Sequence, residues 1–363
     1  MEIVRLAIVG AGGIARAVHK PAFEELESLV TCAAVCDNNP EAARGLAAEL
    51  GAQAFDTLDA MLGSMADKLD GVLVTSPHHL HCPQAEKVLR HGLPVLVEKP
   101  LACNAAELRR IREAETAGGP GAFAQAGQQQ RFGSEETRLK RWLGSDAFGS
   151  LRLFNLDIFQ NVESYLASRA DPWLLDKARS GGGITLSVAI HILDLLRYWF
   201  EDDFAGVYAR GTFDSPMKNG AESTVAATLT MGSGAVGTLN ATYLARRCPY
   251  SQRSVLFGTR GTLYQHIAEP GAAYAGDYYI ATDNGEPTTE WLQQYSGWEP
   301  LAGHLSTVGA PSPFTGQLRA FVENIRHRMR GENSLARNAN TITTIEALVR
   351  SLTSGRPEKV VQA

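Results

Sequence analysis

An apolar run, Val4-Arg5-Leu6-Ala7-Ile8-Val9, leads straight into Gly10-Ala11-Gly12-Gly13-Ile14-Ala15. A strand that runs into a glycine turn and then a helix constrains this chain more than any other feature. Gly10 permits the tight strand-to-helix turn, Gly12 lets backbone approach a pyrophosphate, and the small Ala15 lets helix and strand pack closely. The helix N-terminus then offers unpaired N–H groups and a positive dipole end to phosphates. A second apolar run, 30–36, ends in Asp37. An acid there accepts from a ribose 2′-hydroxyl and repels a 2′-phosphate, so the expected cofactor is NAD, with NADP as the alternative.

Strands and helices alternate up to about residue 125. Strands are expected at 30–36, 54–55, 71–75, 95–97 and 122–127, and helices at 15–27, 40–50, 58–65, 83–91 and 105–117. The run 71–75 is almost continuously apolar, as a strand buried on both faces must be. This alternation implies a doubly wound parallel sheet. The texture then changes. Strands at 151–160, 206–212, 223–230, 235–245 and 254–257 are separated by Gly turns, and several are polar on one face, as in a largely antiparallel sheet with one face covered. Apolar helices are expected at 186–200, 314–328 and 339–353. The fold class is therefore α/β: a doubly wound parallel sheet over 1–125 and a second domain over 126–363 with a largely antiparallel sheet. A length of 363 residues suits two domains.

The net charge of −5 offers nothing to nucleic acid or an anionic membrane. No uninterrupted apolar stretch spans a bilayer, and the first residues lead directly into a strand rather than a leader. Five cysteines, an odd number without metal-type spacing, fit a reducing cytoplasm, which is the expected location.

Oxidising a carbinol needs a hydride acceptor facing carbon and a base facing oxygen. Val95-Leu96-Val97 ends in Glu98-Lys99-Pro100, which places Lys99 at the carboxyl end of the sheet, where ligands bind. An ammonium there stabilises a developing alkoxide; the structural alternative is a strand-end salt bridge. His191 lies in an apolar helix after Gly181-Gly182-Gly183 and is either a satisfied core histidine or a general acid/base. Ser187 precedes it by four residues, on the same face. Asp194, one turn beyond, either orients His191 or pairs with Arg197. Arg131, after Gln128-Gln129-Gln130, either contacts substrate or structures the cleft. Asp157 belongs to a polar group with Asn155, Gln160, Asn161 and Tyr165 that suits a polyhydroxylated ligand, and Asp157 and Asp171 are candidate acids. Trp173 stacks on a sugar or packs the domain, and the tyrosine-rich 274–279 is a rim, an interface or a plain strand. His78, His79 and His81 read as cofactor-loop packing, because no carboxylate or cysteine set completes a metal site around them.

Taken in order, the glycine turn, Asp37, Thr75-Ser76-Pro77 with His81, Glu98-Lys99-Pro100, Arg131-Phe132, and Gly181-Gly182-Gly183 leading to His191 and Asp194 resemble the glucose–fructose oxidoreductase / inositol dehydrogenase / rhizopine-catabolism (Gfo/Idh/MocA) family. The resemblance spans essentially the whole chain. It implies an N-terminal Rossmann domain over 1–125 and a C-terminal α/β domain over 126–363 with an open, mostly antiparallel sheet, NAD(P)-linked oxidation or reduction of sugars, polyols and related compounds, and homodimers or homotetramers that pair the open sheets. It implies cofactor contacts from Gly10, Gly12, Gly13, Ile14, Asp37, Ser76, Pro77, His81 and Glu98. Lys99 and His191 are the expected catalytic groups, with Arg131, Asp157 and Ser187 as further substrate contacts. One departure stands out: where such sequences carry Asp four residues before the histidine, this chain has Ser187. Three functions remain open at this level. The leading one is a dehydrogenase or ketoreductase for a sugar, glycoside or cyclitol. The others are NAD-dependent glycoside cleavage by oxidation, elimination and re-reduction, and a non-catalytic cofactor-binding regulator.

Overall fold

The computed structural model describes residues 2–162, 171–246, 250–268, 276–282, 299–300 and 312–362. Tyr165, Cys248 and Tyr274 lie outside this set. Six parallel strands form the first sheet: β1 (Val4–Val9), β2 (Val30–Cys36), β3 (Gln53–Phe55), β4 (Gly71–Val74), β5 (Val95–Glu98) and β6 (Ala124–Gly127). Their order is β3-β2-β1-β4-β5-β6. The chain leaves β1 toward one side and returns at β4 on the other, so a crevice opens above the carboxyl ends of these two neighbours. Register aligns the ends, with Val9 beside Val74 and Val74 beside Val97. Gly10, Thr75 and Glu98 therefore emerge along one edge.

Gly10 shows why that edge is tight. Its φ is +104°, and a Cβ there would lie 2.8 Å from Ser76 N. The Thr75 hydroxyl donates to the Gly10 carbonyl at 2.6 Å, tying the first turn to the end of β4.

The second sheet comprises β7 (Leu151–Phe159), β8 (Phe204–Thr212), β9 (Thr224–Met231), β10 (Val236–Thr242), β11 (Ser251–Gly258), β12 (Gly261–Ala268), β13 (Gly276–Thr282), β14 (Glu299–Pro300) and β15 (Glu358–Lys359). The order is β14-β13-β12-β11-β7-β10-β9-β8-β15, antiparallel except where β7 meets β10. Phe154, Leu156 and Ile158 of β7 point into the core. Alternation sends Leu153, Asn155 and Asp157 to the opposite face. On that face Leu153, Val236 and Phe257, neighbours across three strands, remain exposed.

The helical stretch Lys177–Phe200 is long and apolar enough by composition to cross a membrane, but most of it is buried inside the protein. Among the helices, Pro313–His327 shows that the chain does not divide cleanly. Ser312 caps it by accepting from Thr315 N, and Pro313 opens its first turn. Its apolar stripe, Leu318, Phe321 and Val322, packs with Leu6, Ile8, Phe23 and Phe123 against the first sheet. A segment remote in sequence thus completes the core of the N-terminal domain. Helix His78–Arg90 differs from expectation in another way: it starts five residues before Pro83, which lies inside it. Proline there removes the bond its own N–H would have made to the preceding turn, and its ring crowds the carbonyl four residues back.

We predict that Phe321→Ala lowers the stability of the N-terminal domain by about 3–5 kcal/mol, the usual cost of emptying a buried aromatic site. Urea unfolding read out on NAD-binding competence measures it, and a change within about 0.5 kcal/mol contradicts this placement.

Candidate active site

Above β1, β2 and β4 lies a cradle that fits a dinucleotide. An ideal Cβ on Gly12 would meet no heavy atom within 4 Å, so open space stands over the turn at the start of the first helix. Asp37 reaches across from β2. Its Oδ2 accepts from Ala11 N at 2.6 Å and its Oδ1 from Asn39 N at 2.8 Å. The carboxylate is therefore fixed beside the glycine turn, where a ribose would lie. Ser76 donates to Gln84 Oε1 at 2.6 Å, and Pro77 caps the following helix. His81 sits between two carbonyls, Pro100 O and Ser76 O, each at 2.7 Å from a ring nitrogen. A neutral ring can donate to only one of them, and burial pushes His81 toward that neutral form. Gly10 and His81 thus serve to hold this edge together, whereas Gly12 and Asp37 face the space a cofactor would take.

Glu98 and Lys99 end β5. Glu98 is buried, and its Oε1 lies 2.8 Å from His19 Nε2, at the end of the wide π-helical turn Ala15–His19. Burial works to raise the Glu98 carboxyl, but its bond to His19 and the charges of His19 and Lys99 outweigh it and hold the group below its ordinary value. Its Oε2 accepts from Lys99 N at 3.2 Å. Glu98 is thereby committed to the protein framework, between the first helix and the strand end. The Lys99 side chain leaves the Rossmann sheet and donates from Nζ to the main-chain carbonyl of Ser187 at 2.5 Å. Burial lowers its pKa from the ordinary lysine value, and Glu98 acts in the opposite direction.

Ser187 lies in a second π-helical turn, Thr185–Ala189, continuous with helix Ile190–Phe200. Glu222 holds the start of this turn, accepting from Thr185 N at 3.1 Å and from the Thr185 hydroxyl. Close approach to Glu222 also explains Gly183, where a Cβ would lie 2.0 Å from Glu222 O. The third glycine is thus required by packing between protein segments and not by a ligand. His191 follows Ser187 by one turn. It is 9% exposed, and its Nδ1 is buried without a hydrogen-bond partner. The Ser187 Oγ is likewise buried and unpartnered. Burial, and then the Lys99 charge, push the His191 pKa well below its ordinary value. Lys99, from the end of β5, and His191, from the helix that continues the second π-turn, therefore come close: Lys99 bonds the Ser187 carbonyl one turn before His191, and its charge acts on the imidazole.

Several expected contacts are placed elsewhere. Arg131 is engaged within the protein, the structuring role open to it: its Nε and Nη2 donate to Asp194 at 2.6 and 2.5 Å, and its Nη1 donates to Glu332 O at 2.8 Å. Both partners are buried, so the guanidinium is spent on an internal fork. Asp194 consequently neither orients His191 nor pairs with Arg197, which binds Asp203, Thr341 and the Arg337 carbonyl. Asp157 is also bonded within the protein. On the outward face of β7 it accepts from Asn240 Nδ2 and Arg253 Nε, both at 2.8 Å. Asp171 pairs with Arg179 at the surface. The three clustered histidines diverge: His78 Nδ1 meets Ser180 O at 2.8 Å and His79 Nδ1 meets Arg179 O at 3.0 Å, whereas His81 holds the Ser76 and Pro100 carbonyls. Trp173 packs edge-on against His78 at 4.8 Å. The roles of His19 and Glu222 escape a reading of the sequence, because each acts through a partner about 40 to 80 positions away.

Residues 4–120 match the oxidoreductase family GFO/IDH/MocA with its NAD-binding Rossmann fold, and residues 137–264 match the GFO/IDH/MocA C-terminal domain. The chain belongs to this family. Its first domain is accordingly an NAD-binding Rossmann domain, and the chain is a Gfo/Idh/MocA oxidoreductase. Inositol 2-dehydrogenase of Rubrobacter xylanophilus is 25% identical over 370 residues, covering 99% of this chain and 94% of that protein. Levoglucosan dehydrogenase in complex with NADH superposes with a TM-score of 0.83 at 18% identity, over 100% of both chains. The WlbA dehydrogenase from Bordetella pertussis, in complex with NADH and UDP-GlcNAcA, gives 0.79 at 21% identity, again over 100% of both. At these identities the two structures show a common fold.

For the Arg131–Asp194 pair we predict that Arg131→Ala destabilises this Gfo/Idh/MocA chain by about 3–5 kcal/mol, because Asp194 is left buried and uncompensated. Denaturant titration checks this. A stable variant whose only defect is a raised KM would restore Arg131 as a substrate ligand.

Proposed function

We propose that this chain is an NAD-linked dehydrogenase acting on a carbinol of a sugar or cyclitol, with Lys99 and His191 at the reacting oxygen. The carrying observation is the Lys99 ammonium held on the Ser187 carbonyl, one turn from His191. The names of the relatives, dehydrogenases of inositol and levoglucosan, support the substrate class.

The glycine turn and Asp37 would hold the dinucleotide, which supplies the hydride acceptor in oxidation and the donor in reduction. Asp37, already fixed beside the turn, favours a free 2′-hydroxyl over a 2′-phosphate. In oxidation the substrate hydroxyl gives its proton to the His191 imidazole, which its surroundings keep neutral and ready to accept. The Lys99 ammonium donates to the same oxygen and stabilises negative charge as the C–H bond breaks. In reduction the proton returns from His191 to the carbonyl oxygen. The Ser187 hydroxyl contributes a donor but no charge.

Rates with a panel of sugars, cyclitols and glycosides, followed at the reduced-nicotinamide absorbance, test this reading. We predict that Lys99→Ala and His191→Ala each lower kcat by about 10²–10⁴-fold while NAD still binds. Oxidation requires neutral His191, so kcat/KM falls as pH drops through that group's pKa. Because the pKa lies well below 6.5, the rate should hold steady down through that pH and fall only in more acidic solution. Unchanged rates in both variants, or an acid limb above about 6.5, would remove these roles. For the cofactor, Asp37→Ala should shift the NAD-to-NADP affinity ratio toward NADP by about tenfold or more, with some loss of NAD affinity because Ala11 N loses its acceptor. Fluorescence titration measures both, and tighter NADP binding by the unmodified protein contradicts the assignment.

A further inference from the structure

We infer that His19 is a positioning residue for hydride transfer: it holds the Glu98 carboxylate at the end of β5, where that carboxylate is the counter-charge of the Lys99 ammonium. This rests on the reading of Lys99 as the group at the reacting oxygen.

His19 is fully buried, and its side chain makes one hydrogen bond, from Nε2 to Glu98 Oε1 at 2.8 Å. An ionised carboxylate only accepts, so a ring proton lies on Nε2. Nδ1 is buried without a partner. The ring packs edge-to-face with Phe314, centroids 5.6 Å apart, so Glu98 is its one polar contact among the described residues. The turn that carries His19 explains its aim. Ala15–His19 is π-helical, and such a turn takes up about one extra residue, which rotates the side chains after it by roughly 100°. Lys20, the next residue, points outward to Glu24 and Glu49, whereas His19 points in at the strand end.

Glu98 is used up without touching the ammonium. Its Oε1 takes His19 and its Oε2 takes the main-chain N–H of Lys99 at 3.2 Å, while the Lys99 Nζ reaches away to the Ser187 carbonyl. The carboxylate therefore acts on Lys99 through space, and the donors that Ser187 does not take stay available to a substrate.

The other ionisable groups around Lys99 bring no negative charge. His78 and His81 come from the helix His78–Arg90, and His191 from the helix after the second π-turn. Burial pushes all three toward the neutral form, and the Lys99 charge pushes the same way. Around Glu98 the charged neighbours are His19 and Lys99, both of which favour the ionised carboxylate, and His81 also feels it. Burial works against the Lys99 ammonium, and Glu98 is the group that works for it. Removing the His19 bond frees Oε1. A buried carboxylate oxygen without a donor is costly, so it takes the nearest cation or a proton. Either outcome ends the present arrangement, in which the carboxylate supports the ammonium without competing for its donors.

The test reads the charge of Lys99 directly. Acetic anhydride acylates only the unprotonated amine, so the pH dependence of Lys99 acylation in the protein without NAD, followed by peptide mass spectrometry, gives its titration midpoint. In the unmodified protein that midpoint should lie below the ordinary lysine value of 10.5. Glu98→Gln keeps an acceptor for His19 but loses the charge, and should lower the midpoint by about half a pH unit or more. The alkaline limb of kcat/KM should move down with it, because oxidation uses the ammonium. His19→Ala should lower kcat about tenfold or more with NAD affinity within about threefold, and His19→Gln, whose side-chain N–H donates from the place of Nε2, should recover most of the loss. A ring needed only for its packing on Phe314 is not replaced by glutamine. A smaller or upward shift of the midpoint in Glu98→Gln, a folded His19→Gln variant as slow as His19→Ala, or a loss confined to NAD affinity overturns the proposal. Should His19→Ala misfold, the Glu98→Gln midpoint and a near-normal rate in His19→Gln decide alone. Lys99→Ala separates this from the proposed function. A lowered midpoint in Glu98→Gln with unimpaired Lys99→Ala rates keeps the counter-charge and removes the catalytic role; impaired Lys99→Ala rates with an unmoved midpoint do the reverse.

Discussion

One hydrogen bond joins the two halves of this protein's chemistry: the Lys99 ammonium on the Ser187 carbonyl. Lys99 belongs to the parallel sheet and Ser187 to the helix that packs on the other sheet. A cation withdrawn from water is costly unless its donors are used, so the bond fixes where the ammonium can lie. Once it is fixed there, its neighbours are determined. His191 is one turn away, and burial and the lysine charge hold its ring neutral. An ammonium and a neutral imidazole, the two groups assigned to the reacting oxygen in the proposed function, are thereby held near each other.

The surrounding frame is built from polar pairs that join one protein segment to another. His19 and Glu98 hold the end of β5 against the first helix. Arg131 and Asp194 lock the segment after β6 to the helix carrying His191, and Thr341 adds a further contact from the C-terminal helix. Such pairs contribute little net stability compared with an apolar core, but they admit only one relative placement of the segments they join. Two π-helical turns, Ala15–His19 and Thr185–Ala189, lie next to these pairs, one after the glycine turn and one beside Lys99 and His191. Wide turns of this kind often mark functional sites because they re-aim side chains within an otherwise regular helix.

Much of this was legible in the chain. The period-two and buried-strand patterns located the six strands of the first sheet and five of the second, β7 to β11, because they reflect which faces are covered. The positions of Gly10, Asp37 and Lys99 could be read because each lies next to a strand end that the apolar runs already locate. Arg131, Asp157 and Asp194 could not be assigned in advance. A charged side chain is equally suited to a ligand and to an internal partner, and those partners, Asp194, Arg253 and Arg131, lie 63 or 96 positions away. Glu222 and the return of helix Pro313–His327 to the first core were invisible for the same reason, since nothing local announces them. The triple glycine was a partial case: its glycines are needed, but at Gly183 for the close approach of Glu222.

A crystal structure of the protein with NAD and a turned-over sugar tests the convergence of Lys99 and His191 most directly. The account predicts one substrate oxygen within about 3 Å of both the Lys99 Nζ and a ring nitrogen of His191, with the attached carbon facing the nicotinamide. A substrate bound in the cleft with its reacting oxygen bonded to neither group would contradict it.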